Sequence, residues 1–178
     1  FEGGHLSASE LASVVEEAME YEDASPRLAF ARASQLRYDE AYREALVRLI
    51  EDEDPHVAKE VVRAIRMSGD DWFVPRLVAQ LDRRDTRESI RRALLAHPEK
   101  ALARLSEALT DPSTTSTIRS HLPRTIARFQ SEAAIAVLLG SLDHVEEGLV
   151  RFKILKGLQH LLRDTTSDAL GHALSGGA

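Results

Sequence analysis

The sequence predicts an all-α protein, an α-α superhelix (solenoid) of about four to five helical pairs. Similar apolar residues recur at intervals close to thirty residues, and two such series run along the chain. Repetition at this interval with two elements per unit is typical of helical solenoids, in which a pair buries its apolar face only when neighbouring pairs stack on it. One series contains Ile50, Leu81, Leu109 and Leu142, and the other, which precedes it in each unit, contains Leu28, Val57, Ile90, Ile118 and Val150.

Helix start signals mark the boundaries of these units. Residues 7–10 form a capping box, in which a serine and a glutamate side chain each bond a backbone N–H, and this motif predicts a helix over 7–21. Proline is favoured in a first helical turn because its missing N–H has no partner there. We therefore place Pro26, Pro55, Pro98 and Pro112 in first turns, and we expect caps at Asp85, at Ser131 and at Asp70 or Asp71.

Between these signals the predicted helices form pairs, and no segment shows the alternation of a strand. We divide the chain into an N-terminal capping helix at 1–24, repeats at 25–163 and a C-terminal tail or linker at 164–178. The chain begins with Phe1 rather than methionine, and we interpret it as a piece of a longer protein. The predicted pairs are 26–36 with 38–52, 55–68 with 71–82, 86–96 with 98–110 and 116–129 with 131–142, followed by a helix over 145–163.

Inward-facing apolar residues of these helices are predicted to form one continuous core. Apolar residues make up 43% of the chain and aromatic residues only 5%, so the packing must depend on aliphatic side chains, as in helical bundles. The predicted core residues are Leu46, Ile50, Ile65, Leu77, Leu81, Leu94, Leu105, Leu109, Ile126, Leu138, Leu142, Ile154 and Leu158.

Composition excludes several kinds of site and location. Cysteine is absent, which excludes disulfides, cysteine-ligated metals and thiol nucleophiles. No apolar run approaches the roughly 18–20 residues that span a bilayer, and no signal peptide is visible. We therefore expect a cytoplasmic location, at the cytosolic face of the inner membrane if the rest of the polypeptide is a membrane protein. The excess of arginine over lysine, 19 against 4, is common in bacterial proteins from GC-rich genomes.

The net charge of −6 is unevenly distributed. Residues 1–111 contain 16 basic and 23 acidic side chains, a net charge of −7, whereas residues 112–163 contain 7 basic and 4 acidic ones, a net charge of +3. An acidic surface repels phosphate backbones, so nucleic acid is not expected as a specific partner. Glu16 to Asp23 and Glu51 to Asp54 concentrate the negative charge.

No motif in the sequence supports a chemical reaction. The seven histidines lack metal-ligand spacing, and the chain has no nucleophile elbow and no glycine-rich phosphate loop. We therefore expect no catalytic residue, no metal, no cofactor and no enzyme activity.

The C-terminal half, residues 116–163, is the predicted interaction surface. It is the net-positive stretch, it follows a helix kink expected at Pro123, and it contains the uncharged segment 133–142, which we expect to be covered. Trp72 adds a second candidate, because Trp72 and Phe73 point about 100° apart on one helix and cannot both be buried on one side. The alternative role of the basic residues is ion pairing between repeats. The candidate residues are Arg119, Arg124, Arg128, Arg151, Lys153, Lys156 and Trp72.

These features resemble HEAT repeats over about residues 25–163. The family's Asp-Pro junction matches Asp54-Pro55, and its first helix carries an apolar residue followed by arginine, as at Ile90-Arg91, Ile118-Arg119 and Val150-Arg151. In the second repeat Val57 is followed by Ala58, so an arginine ladder would be interrupted there. Residues 121–128 and 150–158 are also similar to the cytosolic HEAT region of bacterial nucleotide-transporter-like (MFS-type) membrane proteins.

The resemblance implies a non-enzymatic scaffold or protein-interaction module, and the narrower similarity implies the cytosolic regulatory domain of a membrane transporter. The partner would be another protein or another domain of the same polypeptide. The alternative is a HEAT-like protein that processes a ligand or nucleic acid, similar to DNA glycosylases or bilin lyases. The acidic net charge and the single tryptophan disfavour the glycosylase form.

Overall fold

The structure, a computed structural model, describes residues 23–175 together with the isolated residues 10, 13, 14 and 17, and it describes side chains as far as Arg163. Over this part of the chain the backbone forms helices and no strand, which confirms the all-α class. The four isolated residues are helical and fall inside the helix predicted over 7–21. Ser7 of the capping box and the rest of that helix lie outside the described residues.

The described helices follow the predicted order of a first and a second helix in each unit. They are α1 (Ser25–Leu36), α2 (Arg43–Ile50), α3 (Pro55–Ser68), α4 (Val74–Ala79), α5 (Arg87–Leu94), α6 (Pro98–Thr110), α7 (Ser116–Arg119), α8 (Leu122–Ala127), α9 (Glu132–Ser141) and α10 (Gly148–Ser175). Short 3₁₀ turns, Glu40–Tyr42 and Asp71–Phe73, lead directly into α2 and α4. The order of the helices is therefore as predicted. The main packing contacts join α1, α2 and α5 to α3, and they join α6 and α10 to α8 and α9. Among the predicted pairs, they include the contact of α8 with α9.

The chain divides into two compact units, and the first comprises the residues up to Leu77 and Arg83–Ala96. Helix α3 is its centre, since α1, α2 and α5 all pack against it. Asp54 starts α3 by accepting a hydrogen bond from the backbone N–H of His56 at 2.7 Å. Gly69 ends it with φ of 68°, a left-handed conformation that glycine adopts without steric cost.

The second unit comprises Val78–Asp82 and His97–Ala178. Here α6 packs on α8 and α9, and α10 packs on the same two helices. Gly157 permits the close approach of α10, because a Cβ at this position would lie 3.2 Å from the carbonyl oxygen of Pro123 and 3.1 Å from Cδ1 of Leu138. The missing side chain thus determines how near α10 lies to α8 and α9.

Twelve of the thirteen predicted core residues are buried. The exception is Leu142, which is half-buried where α9 ends. The burial of the others follows from their spacing, which places them on one face of each amphipathic helix. Their burial is confirmed. The residues are divided between two units, so the continuity of the core stays a prediction.

Three of the four prolines lie where the sequence predicts. Pro26, Pro55 and Pro98 occupy the first turns of α1, α3 and α6. The prediction for Pro112 was wrong, because the preceding Asp111 ends α6 and forms a turn in which its carboxylate accepts from the N–H and the hydroxyl of Ser113, at 2.8 and 2.7 Å. Asp-Pro therefore marks a turn here and a helix start elsewhere.

Pro123 lies at the start of a helix and not in a helix interior, where the sequence predicts it. Helix α7 ends at Arg119 and α8 begins at Leu122, so Pro123 falls in the first turn of α8 and removes no helical hydrogen bond. Of the predicted caps, Asp70 and Ser131 are confirmed, since their side chains accept from nearby backbone N–H groups. The predicted cap at Asp85 is wrong, because the residue at the N-cap position of α5 is Thr86, whose side chain makes no capping hydrogen bond.

The last helix differs from the predicted span of 145–163 at both ends. It begins at Gly148 and continues to Ser175, through most of the segment expected to be a linker. The small polar residues after Asp164 carry only a weak penalty in a helix, and no proline interrupts it before Ser175.

Candidate interaction site

Two of the predicted basic residues form structural contacts inside the second unit. The Arg119 guanidinium donates a hydrogen bond to the Glu147 carboxylate in the loop before α10. Nη1 of Arg151 donates to the carbonyl oxygens of Leu142 and Val145, the latter at 3.0 Å. Arg151 therefore satisfies carbonyl groups at the end of α9 that have no helical partner. Arg119 thus forms an ion pair, as in the alternative noted above, whereas Arg151 bonds backbone carbonyl groups.

The remaining basic candidates of this unit differ in exposure. Arg124, Arg128 and Lys156 are exposed, and Lys153 is half-buried. The Lys156 ammonium lies 5.1 Å from the centre of the Phe152 ring, within the range of a cation–π contact. The structure thus separates the cluster into residues that hold the loops and residues that face solvent.

A row of apolar side chains faces solvent on α10. Leu149, Phe152, Leu155 and Leu162 are each between 53 and 62% exposed, and we name them the α10 apolar face. At about 100° per residue they lie on the side of the helix opposite the buried Val150, Ile154 and Leu161. Single exposed leucines are ordinary, but a row of large apolar residues on one helix face is typical of an interaction surface.

Helix α9 is also less covered than predicted. The expectation that the uncharged segment 133–142 is buried on most sides was wrong, because Leu139 is 53% exposed and Ala133, Ala136 and Gly140 are exposed as well. One side of the helix packs inward, through the buried residues Ala134, Leu138 and Ser141. An apolar helix with one uncovered side leaves a surface that a partner can bury.

In the first unit, Phe73 is fully buried and Trp72 is half-buried. The Trp72 ring is covered in part by arginines, with the guanidinium carbon of Arg76 3.3 Å and that of Arg43 5.2 Å from the ring centre. Such cation–π contacts stabilise the native structure. Trp72 is therefore partly occupied by its own unit, and its exposed part is smaller than the sequence suggested.

Beside Trp72 lies a polar cluster around Asp70 that the sequence did not reveal. Arg43 donates to both carboxylate oxygens of Asp70, from Nε at 2.7 Å and from Nη2 at 3.1 Å. The Tyr38 hydroxyl donates to Asp70 as well, and so does the backbone N–H of Trp72 at 3.0 Å. The carboxylate is thus hydrogen-bonded by Tyr38 and Arg43, which are distant in sequence, and by the neighbouring backbone N–H of Trp72.

This environment changes the ionisation of the cluster. Burial by itself would raise the pKa of Asp70, but the hydrogen bonds from Arg43 and Tyr38 outweigh it and lower the pKa to about 2. Burial raises the pKa of the Tyr38 phenol, and its hydrogen bond to Asp70 raises it further. Asp70 is consequently a weak base and Tyr38 stays protonated, so the pair is suited to holding structure rather than to proton transfer.

The acidic patch predicted at residues 51–54 is partly neutralised. Asp52 is buried and accepts two hydrogen bonds from Arg27, at 2.7 and 3.4 Å. Arg83 donates to the carbonyl oxygen of Ile50 and, at 2.7 Å, to that of Asp52, which satisfies the end of α2. With Asp54 capping α3, two of the four acidic side chains serve the fold instead of attracting a cation.

Within the described residues no group of three or more histidine and acidic side chains is placed to hold a metal ion. In that same part of the chain, no helix combines the length and the apolar character needed to cross a bilayer. The observed chemistry is that of binding surfaces and internal ion pairs.

Comparison with known proteins agrees with this architecture. A family model for HEAT repeats matches residues 11–96, which end at the same residue as the first unit. No curated protein matches the sequence. The match and the helices of the described residues together support an all-α fold of the HEAT-like solenoid class. Helical repeats of this kind commonly act as scaffolds or interaction modules.

Proposed function

We propose that this chain is a non-enzymatic scaffold whose α10 apolar face docks a protein partner or another domain of the same polypeptide. The observation that carries the proposal is the row Leu149, Phe152, Leu155 and Leu162, each more than half exposed on one helix face. Burying apolar surface gains roughly 25 cal/mol per Å², so covering these side chains favours association. Aromatic residues such as Phe152 are frequent anchors at the centre of interfaces.

The charge of the same helix indicates the chemistry of the partner. Between residues 148 and 163 the chain contains Arg151, Lys153, Lys156 and Arg163 and no acidic residue. A partner surface that presents apolar side chains with acidic residues at its edge would match both properties, and the charges would speed its approach. The exposed candidates Arg124 and Arg128 of α8 and its C-cap extend the basic character of this unit.

A narrower form of the proposal places the module on the cytosolic side of a nucleotide-transporter-like membrane protein, where it would couple transport to a regulatory domain. Its support is the similarity of residues 121–128 and 150–158 to that group. Neither segment lies within the residues matched by the HEAT family model. No observation favours the ligand-processing alternative, the glycosylase-like or lyase-like protein.

The experiment is site-specific photo-crosslinking in cells that express the natural polypeptide. A photoreactive residue replaces Leu155 in one version and Leu36, which is 90% exposed on α1, in the control. We expect a defined adduct from position 155 and none from position 36, with mass spectrometry identifying the captured protein or segment. The absence of an adduct at 155, or equal adducts at both positions, contradicts the proposal.

A binding measurement follows with the captured partner in purified form. The double variant Phe152→Ser with Leu155→Ser should weaken the complex at least about tenfold, because interface anchors typically contribute more than 1 kcal/mol each. Both side chains are exposed in the isolated chain, so the melting temperature should change little. Unchanged affinity would place the interface elsewhere.

A further inference from the structure

The first unit contains a basic cleft between α3 and α5, with a volume of about 280 Å³. It is separate from the α10 apolar face, and nothing in the proposed function uses it. It lies in the N-terminal two-thirds of the chain, which is acidic overall. We name it the α3–α5 cleft, and its lining residues are Lys59, Glu60, Val62, Arg63, Arg66, Ser89 and Arg92.

The four cations of the cleft have no partner among the described residues. Lys59, Arg63, Arg66 and Arg92 are exposed and make no hydrogen bond or ion pair with any residue in that part of the chain. Several other arginines of the unit form ion pairs, as Arg27 does with Asp52 and Arg43 with Asp70. Four unpaired positive charges around one cavity repel one another, and an anion that enters it relieves this repulsion.

The one acidic side chain in the cleft does not neutralise it. Glu60 accepts a hydrogen bond from the amide of Gln35 on α1, which holds its carboxylate toward that helix. Ser89 adds a hydroxyl donor on the α5 side of the cleft. Glu60 keeps its negative charge, so the cavity offers four cations and a hydroxyl against one carboxylate, and its lining is positive overall.

The arrangement of the cations favours an extended ligand. Lys59, Arg63 and Arg66 are spaced i, i+4, i+7 along one stripe of α3, and at 1.5 Å per residue their backbone positions rise by roughly 6 and 4.5 Å. Alternate side chains of an extended peptide point to one side at intervals of roughly 6.7 Å. A row of carboxylates at every second residue can thus meet the stripe, with Arg92 across the cleft.

Size and polarity argue against a bound nucleotide or ring system. The volume is slightly below the roughly 300–1,000 Å³ of pockets that enclose drug-sized ligands. Val62 is the one apolar residue of the lining and no aromatic side chain is present, so a base or ring has no aromatic platform for stacking. We infer that the α3–α5 cleft binds an acidic peptide segment of a protein partner, in extended form, through carboxylate–arginine and carboxylate–lysine contacts.

The test uses the purified chain and a short fluorescent peptide in which Glu alternates with Ser, with a Gln–Ser peptide as the uncharged control. Fluorescence anisotropy measures binding at about 50 mM and about 200 mM salt. We expect saturable binding of the Glu–Ser peptide, weakened by the higher salt, and no binding of the control peptide. Failure of the Glu–Ser peptide to bind at the lower salt overturns the inference.

Paired variants separate the cleft from general charge. Arg63→Gln with Arg66→Gln removes two cleft cations and should weaken peptide binding about tenfold, as charge-assisted hydrogen bonds are lost. Arg32→Gln with Arg84→Gln removes the same charge from exposed positions outside the cleft lining and should change affinity less than about twofold. Equal losses in both double variants would show that binding is only non-specific electrostatics.

Two phosphate probes decide the class of anion. Inorganic tripolyphosphate and a short DNA duplex are titrated against the wild type and the cleft variant. Weaker binding than that of the Glu–Ser peptide supports a carboxylate ligand. Tighter binding of either probe that is lost in the cleft variant would identify a phosphate site and overturn the peptide assignment.

Discussion

Gly157 lies in α10 where this helix packs against α8 and α9, and replacing it with alanine measures that packing. A Cβ at position 157 would lie 3.2 Å from the Pro123 carbonyl oxygen, 3.1 Å from Cδ1 of Leu138 and 3.6 Å from the Cβ of Ala127. The first two distances are shorter than most contacts that a Cβ makes in proteins. The Leu138 methyl can rotate aside, but the carbonyl belongs to the buried backbone of α8.

Two opposing effects determine the magnitude. Gly→Ala within a helix stabilises by roughly 0.5–1 kcal/mol, since alanine loses less backbone entropy on folding. Overpacking of a close interface costs roughly 1–3 kcal/mol. We expect Gly157→Ala to lower the free energy of unfolding by about 1 kcal/mol. Gly140→Ala in α9 is the matched control, because a Cβ there meets no atom within 4 Å and only the favourable effect remains.

The assay is urea unfolding of both variants and the wild type, followed by far-UV circular dichroism. Both glycines belong to the second unit, so the same transition reports on both. The two variants should differ by about 1–3 kcal/mol in free energy of unfolding, with Gly140→Ala the more stable. If Gly157→Ala stabilises the protein as much as Gly140→Ala does, α10 does not approach α8 this closely and the reasoning is refuted.

Further predictions concern ionisation, the core and the arginines. The pKa of Asp70 falls from 3.8 to about 2 on folding. Each unit of pKa shift is worth about 1.4 kcal/mol, so the ionised carboxylate contributes about 2 kcal/mol of stability above about pH 5, which is lost as the pH falls toward 2. Asp70→Asn should remove this contribution and flatten the acid dependence in urea titrations at several pH values; an unchanged acid dependence would contradict the network. Leu46→Ala should cost about 2–5 kcal/mol in urea unfolding and the exposed Leu36→Ala less than about 0.5, and equal effects would mean that the helix faces are misassigned. Arg151→Glu should lower the unfolding free energy by about 1–2 kcal/mol by freeing the carbonyl groups at the end of α9, whereas Arg124→Glu should leave stability nearly unchanged; if the two variants are equally stable, Arg151 does not cap α9.

Local chemistry made the helices and much of the core predictable. The caps at Asp54, Asp70 and Ser131 bond the backbone within three residues, so their signal is complete in the sequence. The apolar spacing identified twelve buried residues because a helix turns at a fixed rate and presents one face inward. An Asp-Pro pair is compatible with both a helix start and a turn. At Pro112 the sequence predicted a helix start, and the structure has a turn.

The interaction surfaces were only partly predictable. Arg119 and Arg151 were predicted as basic candidates for an interaction surface, with ion pairing as the alternative. Their partners are a glutamate 28 positions away and backbone carbonyl groups that precede α10. The α3–α5 cleft had a local signal, the i, i+4, i+7 spacing of Lys59, Arg63 and Arg66, but the overall acidic charge concealed it. The net charge of a long segment sums the charges of surfaces that lie on different sides of the folded protein, so a basic cleft can lie within an acidic segment.

The sequence by itself therefore determined the all-α repeat architecture, since repeat length, helix caps and apolar periodicity depend on contacts within one or two turns. Only the tertiary structure decided which charges are paired and which apolar faces stay exposed. Asp70 meets Tyr38 and Arg43, and Asp52 meets Arg27, across about 25–32 positions of sequence. Such contacts depend on how one helix packs against another, and the free energy of a charge or an apolar side chain is set by the neighbours that this packing supplies.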